Sequence, residues 1–401
     1  MRKRLEPLIQ KSAAEYLQKI RDMEMDGFKI VLYGAGKYGK SLARYITKKG
    51  INIFSYCVSD TQNNVNAIEG IPVRLFSDLP TEKILFLVAV KPPSNKEIVS
   101  LLEAKNVSSF IDIPIFIEQI LAFDKNTTPL TLEITPKIGC IVNCKYCPQE
   151  LLIRNYKKKS NLHEMTFETF QSCIDKLPSG TILEFTGFVE PFTAHDTIEM
   201  IQYANKQHFS MRLNTTLVGL TLASFKQIEA IPFLHTCIHL PDRSGFAHIP
   251  ITESYLELLK YTMSKRADGH MFWEMASCQD EPAPEVERYL PPNLPCSWNL
   301  FDRAGNLSSD GVASQSFPKG VPIYCSRDID LNHNVLLPNG DIQLCCMDYG
   351  CVHTLGNLLA QSYEDILDGK QMSDIKKDLL GGGGHVLCYK CTKARPIPVS
   401  V

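Results

Sequence analysis

Cys140, Cys144 and Cys147 form a Cys-x3-Cys-x2-Cys array inside Gly139-Cys-Ile-Val-Asn-Cys-Lys-Tyr-Cys-Pro-Gln149. Three thiolates this close can hold three irons of a cubic 4Fe–4S cluster and leave the fourth iron without a protein ligand. An open metal position admits a substrate or cofactor, which a catalytic centre requires. The competing reading is a structural zinc site. Such a site takes four ligands, and no fourth Cys or His lies within about ten residues of the array.

A second set lies near the C-terminus. Cys325 precedes Leu331-Asn-His-Asn-Val-Leu-Leu-Pro-Asn-Gly-Asp-Ile-Gln-Leu-Cys345, and the chain ends with Cys388-Tyr-Lys-Cys391 ahead of its last ten residues. Asn339-Gly340 between two apolar runs predicts a β-hairpin that returns Cys345 to the side of Cys325. Four soft ligands can close one iron–sulfur cluster, and a hairpin Cys followed by Cys-x2-Cys can equally form a zinc ribbon.

Composition limits the classes. Apolar content of 44% suffices for real cores, and a net charge of −2 over 401 residues offers no nucleic-acid groove. No apolar run is long enough for a transmembrane helix, and the basic start leads into no signal-type segment, so a cytoplasmic protein without a membrane partner is expected. With no export signal, fourteen cysteines favour metal or redox use over disulfides.

The elements that must position these cysteines follow from periodicity. Residues 1–26 read as an amphipathic helix. Residues 27–114 read as an α/β unit: strand Lys29–Tyr33, then Gly34-Ala-Gly36-Lys-Tyr-Gly39, a helix over Lys40–Lys48, a strand over Ile51–Val58 and an acid at Asp60. That is the order of a dinucleotide-type fingerprint. Gly34, Gly36 and Gly39 would let backbone approach a phosphate, and Asp60 would meet a ribose hydroxyl. The alternative is a Rossmann-like fold without a ligand. Strands over Ile84–Val90 and Ser109–Ile113 and a helix over Asn95–Ala104 complete the unit.

Residues 115–129 read as a linker. Residues 130–305 alternate strand and helix. Strands are expected at Leu130–Thr135, Thr181–Phe185, Ser210–Asn214, Thr236–Leu240, Met271–Met275 and near Ser297–Leu300. Six β/α units predict a partial parallel barrel, whose chemistry sits at the carboxyl ends of its strands. The three-cysteine loop follows the first of them. Residues 306–401 then carry the second cysteine set and a helix over Tyr363–Leu380.

The three-cysteine spacing resembles the radical S-adenosylmethionine (SAM) superfamily. The resemblance implies a 4Fe–4S cluster whose open iron binds SAM, and a 5′-deoxyadenosyl radical that takes hydrogen from a substrate. It places Tyr146 near the adenine. Leu183-Glu-Phe-Thr-Gly-Phe-Val-Glu-Pro-Phe192 resembles the Gly-Gly-Glu-Pro region of that superfamily, with Gly187 at the close approach and Glu190 receiving the SAM ammonium; Val189 departs from the usual glycine. Arg212-Leu-Asn-Thr-Thr216 resembles the stretch that meets the SAM ribose, through Asn214. Cys325, Cys345, Cys388 and Cys391 resemble the SPASM/twitch extension in its shortened form, which implies one fully ligated auxiliary cluster.

The Tyr-Gly-Ala-Gly-Lys-Tyr-Gly phrase is similar to nucleotide-sugar-binding units at the front of sugar O-acyltransferases. The expected fold is therefore α/β throughout: a Rossmann-like domain, a (β/α)6 radical SAM barrel and a small α+β iron–sulfur domain. The expected activity is dehydrogenation or epimerisation of a sugar, nucleotide sugar or cyclitol, with an external electron donor such as flavodoxin or ferredoxin. Two other readings remain: radical modification of a ribosomal peptide, and a non-catalytic nucleotide- or zinc-binding regulator. Arg303, followed by small residues, is a candidate ligand-facing guanidinium or a structural ion pair. Cys278, near a strand end, is a candidate hydrogen-atom donor. Cys346 and Cys351 flank the second set as substitute ligands, and Cys57, Cys173 and Cys237 read as core.

Overall fold

The structure is a computed structural model describing residues 2–59, 66–79, 83–90, 94–113, 129–264, 271–292, 294–298, 302–307 and 315–397. The chain divides into two compact units, one of residues 1–127 with 395–401 and one of residues 128–394. Asp60 and most of the expected linker lie outside the described residues.

In the first unit, α1 (Arg2–Met25) precedes β1 (Lys29–Tyr33), α2 (Lys37–Lys48), β2 (Ile53–Val58), β3 (Ala67–Ile68), β4 (Ile71–Leu75), β5 (Ile84–Val88), α3 (Ser94–Ala104) and β6 (Phe110–Asp112). The sheet order is β3-β4-β2-β1-β5-β6. All neighbours are parallel except the β3–β4 hairpin. Chain order reverses about β1, as in doubly wound sheets. Side-chain alternation along β1 separates two cores. Ile30 and Leu32 pack with Leu17, Ile20, Leu42 and Ile46 from α1 and α2. Val31 and Tyr33 pack with Phe86, Val88 and Leu102 on the other face.

The glycine-rich turn closes on itself. A Cβ on Gly39 would fall 1.9 Å from the Gly34 carbonyl oxygen, and Gly34 has φ +113° with Ala89 and Val90 against it. Gly36, which caps α2, has nothing within 4 Å of a Cβ position.

The second unit is built on β7 (Thr131–Ile134), β8 (Ile182–Phe185), β9 (Ser210–Thr215), β10 (His235–His239), β11 (Met275–Cys278), β12 (Cys296–Trp298), β13 (Ile323–Cys325), β14 (His333–Leu336), β15 (Asp341–Gln343) and β16 (Thr354–Asn357). Helices over Phe167–Ile174, Thr197–Lys206 and Glu253–Thr262 alternate with the early strands. Thr166 and Thr252 start two of them by accepting the backbone N–H three residues on. The expected strand at Met271–Met275 lies further on, at Met275–Cys278. Phe272 and Trp273 instead pack edge-on with each other, and Phe272 also meets Phe225 and Phe233, ahead of the strand. The expected helix over Tyr363–Leu380 is two, Tyr363–Leu367 and Lys370–Lys377, parted at Gly369.

The main sheet runs β12-β11-β10-β9-β8-β7-β14-β15-β16. Strands β7 to β12 are parallel, as a partial (β/α) barrel requires. The predicted hairpin forms between β14 and β15, with Gly340 N–H donating to Leu337 O in the turn. Its β14 strand also pairs in parallel with β7, in the register Val335 to Glu133. The C-terminal cysteine segment and the three-cysteine loop therefore grow from adjacent strands of one sheet.

Candidate iron–sulfur centres

The loop after β7 is shaped by local bonds. Asn143 N–H donates to Cys140 O at 3.2 Å and Cys147 N–H to Cys144 O at 3.0 Å. Gln149 ties it to the end of β8. Its side-chain oxygen accepts from Cys140 N–H at 3.2 Å and its amide donates to Phe188 O at 2.7 Å, with Gln149 itself buried. Nothing in the spacing announced Gln149. Its signal is its place immediately after the Cys-Pro pair, facing inward at the start of the helix Gln149–Tyr156.

Each of the three sulfurs meets a donor. Glu190 N–H points at Cys140 Sγ at 3.4 Å. Tyr146 hydroxyl hydrogen-bonds Cys144, so this aromatic side chain turns to the loop's own sulfur. Tyr349 hydroxyl donates to Cys147 Sγ at 3.5 Å, and Arg303 Nη2 lies 4.0 Å from it. Burial raises the Cys140 thiol, and pushes Cys144 up to about 12. No disulfide engages any cysteine.

The expected SAM-facing residues stand at the ends of β8 and β9. Gly187 has φ +76°, and a Cβ there would fall 2.2 Å from Thr135 Oγ1, so its close approach is to the end of β7. Glu190 is buried, and four donors surround its carboxylate. Thr215 Oγ1 (2.6 Å) and Phe192 N–H (3.3 Å) reach Oε1; Thr216 Oγ1 (2.7 Å) and Thr216 N–H reach Oε2. Burial raises the Glu190 carboxyl pKa while these bonds pull it back. Thr215 and Thr216 thus serve the site through Glu190, a role that spacing alone did not mark.

Asn214 Nδ2 donates to Glu184 Oε1 at 2.7 Å. This belongs to a buried polar row that sequence reasoning missed. Glu133, Glu184 and Arg212 sit side by side in the register of β7, β8 and β9. Glu133 Oε1 meets His333 Nε2 at 2.7 Å and Arg327 Nη2 at 3.1 Å. Burial alone would raise the Glu133 carboxyl, but His333 and Arg327 outweigh it and hold it at about 2. Glu184 Oε2 lies 3.5 Å from Arg212 and from His333 and makes no hydrogen bond.

Other polar and thiol side chains near the later strand ends have local roles. Asp242 accepts from Phe246 N–H and Ala247 N–H, both at 2.7 Å, and so folds its own loop. Burial and then the Arg303 charge push His239 down to about 4. Cys278 is fully buried, its Sγ 3.8 Å from Leu240 O and 3.9 Å from Pro241 O. Cys57, Cys173 and Cys237 are buried.

In the second set, neighbouring thiols add to the effect of burial: Cys346, Cys388 and Cys391 raise Cys345, and Cys325 and Cys391 raise Cys388. Burial raises all four thiols. Cys345 packs with Cys391, Met347 and Leu387, whereas its neighbour Cys346 packs with the core beneath the first loop, beside Cys147 and Tyr349. Arg327 Nη1 donates to Cys346 Sγ at 2.9 Å. Asp348 folds the segment between, accepting from His353 N–H at 2.7 Å and Val352 N–H at 3.0 Å. Among the described residues, no three His, Cys, Asp or Glu side chains draw in to single-ion distance. Soft thiols free of disulfides, in sets of three and four, are the donor chemistry that iron–sulfur clusters take.

No helix among the described residues is long and apolar enough to cross a membrane. No curated protein matches the chain. Solved structures similar to it include BtrN in complex with AdoMet and 2-DOIA, at 14% identity and TM-score 0.42, covering 65% of this chain and 89% of that one. SuiB of Streptococcus suis is similar at 13% identity and TM-score 0.39, covering 71% of this chain and 78% of that one. The anSMEcpe structure with bound AdoMet is similar at 15% and 0.37, covering 66% and 86%. Residues 325–392 match the SPASM family, an iron–sulfur cluster-binding domain. That segment begins at Cys325 and encloses Cys345, Cys388 and Cys391, and its strand β14 is hydrogen-bonded to the strand that launches the three-cysteine loop.

Proposed function

We propose that the chain is a radical SAM enzyme with one auxiliary cluster, acting on a sugar, nucleotide sugar or cyclitol by dehydrogenation or epimerisation. The observation that carries this reading is the pairing of β14, inside the SPASM segment, with β7, which leads into Cys140, Cys144 and Cys147. When bound, a 4Fe–4S cluster with SAM on its open iron supplies the 5′-deoxyadenosyl radical for hydrogen abstraction. Cys140, Cys144 and Cys147 hold that cluster, and Cys325, Cys345, Cys388 and Cys391 hold the auxiliary one. Gly187, Glu190, Asn214 and Tyr146 line the SAM side.

Glu190 acts by locking the ends of β8 and β9, since its four acceptor positions are already engaged by Thr215, Thr216 and Phe192. The row of Glu133, Glu184, Arg212 and His333 favours a hydroxyl-rich substrate. Glu184 Oε2 is a buried acceptor with no hydrogen-bond partner, which a substrate hydroxyl would satisfy. An external electron donor starts each turnover. In the first unit, the open N-terminus of α2 at Gly36 is offered to a phosphate.

The test is anaerobic reconstitution with iron and sulfide, addition of SAM and dithionite, and detection of 5′-deoxyadenosine by mass spectrometry. Product from the wild type and none from Cys140→Ala supports the reading. No product from protein loaded at the three-cysteine site contradicts it.

A further inference from the structure

We propose that Tyr349, from the SPASM segment, and Arg303, ahead of it in the chain, are positioning residues that set the reduction potential of the cluster at Cys140, Cys144 and Cys147. This rests on the function proposed above. Tyr349 lies four residues beyond Cys345, yet its hydroxyl leaves the auxiliary set and donates to Cys147 Sγ, 202 residues away in sequence. Its ring packs edge-on against Phe188 at 4.8 Å, and Phe188 O is held by Gln149. The donor is therefore fixed from both sides.

Arg303 converges on the same sulfur. Nη2 stands 4.0 Å from Cys147 Sγ, Nε donates to Tyr146 O at 3.5 Å, and the guanidinium lies 5.6 Å from the centre of the Tyr349 ring. Arg303 and Ala304 hold φ of +50° and +55°, a conformation that side chains other than glycine adopt at a cost. Strain of this kind persists where the surroundings over-determine it, and it collects at functional sites.

A hydrogen bond to a ligating sulfur and a nearby positive charge both favour the reduced, more negative cluster, so both raise its potential. Cys144 takes a donor from its own loop and Cys140 one from the loop after β8. Among the described residues, Cys147 alone of the three takes one from the SPASM segment, so that segment tunes the first centre through one sulfur.

The measurement is an EPR-monitored redox titration of reconstituted protein. The signal absent from Cys140→Ala identifies the first cluster. In Tyr349→Phe its midpoint should move negative by about tenfold in the reduction equilibrium, or about 59 mV for one electron. Arg303→Gln should move it the same way, and Arg303→Lys should restore most of the shift. The auxiliary signal should stay in place in all three, and Tyr203→Phe, on an outer helix, should change neither. An unmoved first midpoint in Tyr349→Phe, or a joint shift of both signals, overturns the inference. Absence of any signal dependent on Cys140 overturns the enzyme reading itself, and the inference with it.

Discussion

Two loops in this chain leave the carboxyl end of a parallel strand and run into a helix: Gly34 to Gly39 after β1, and Gly139 to Gln149 after β7. Their chemistry differs in what the fold demands of them. Gly39 is required because a Cβ there strikes the Gly34 carbonyl, and Gly34 because its φ is +113° and a Cβ there strikes Val90 and the Ala89 carbonyl. Two of the three glycines are thus accounted for by packing, and only Gly36 leaves space open towards a ligand. The cysteine loop is the reverse. Its anchoring is done by Gln149 and by backbone bonds, and packing gives no reason for three thiols with a donor on each sulfur. A motif that the fold already needs is weak evidence for a ligand; residues the fold does not need are stronger.

The largest effect that tests this contrast is expected at Gln149. Gln149→Leu leaves Cys140 N–H and Phe188 O unpaired in a buried place, at about 1–3 kcal/mol each. The first site should lose its iron while the auxiliary set keeps about four irons, as read by iron analysis. Retention of both clusters would show that the loop does not depend on this anchor.

Next is Glu133, whose role is to hold the hairpin strand β14 to the barrel edge through His333. Glu133→Gln removes one charge from a buried ionic group and should cost about 3–5 kcal/mol in denaturant unfolding. A change below 1 kcal/mol would dismiss the row as a stabilising tie.

His239 gives a pH signature. Its folded pKa is held down to about 4, below the unfolded value, so the unfolded chain takes up a proton first as pH falls. The contribution to stability is level above the unfolded pKa and declines as pH drops towards 4, by up to about 3 kcal/mol. His239→Gln should flatten that slope. The smallest effects separate the glycines. Gly39→Ala should destabilise the first unit by about 2–3 kcal/mol, since backbone must shift. Gly36→Ala should cost under about 1 kcal/mol and abolish any thermal shift given by a nucleoside diphosphate.

The legible features were local ones. The Cys-x3-Cys-x2-Cys loop, the Asn339-Gly340 hairpin and the alternation of Ile30 to Tyr33 are set by residues within a few positions of each other. The unread features were long-range. Nothing near His333 signals that β14 pairs with β7, nor does anything near Tyr349 point to Cys147. Glu133 and Glu184 are each flanked in sequence by apolar residues, and only the register of three strands brings them level with Arg212. The misplaced strand β11 has a related cause: Phe272 and Trp273 have strand-like composition but are spent on an aromatic cluster formed with residues of other elements.

The most direct test of the account is metal analysis of anaerobically reconstituted wild type, Cys140→Ala and Cys388→Ala. Two separate four-iron centres predict about eight irons per chain in the wild type and about four in each variant. A colourless wild type holding zinc, or an iron content that Cys140→Ala leaves unchanged, would contradict it.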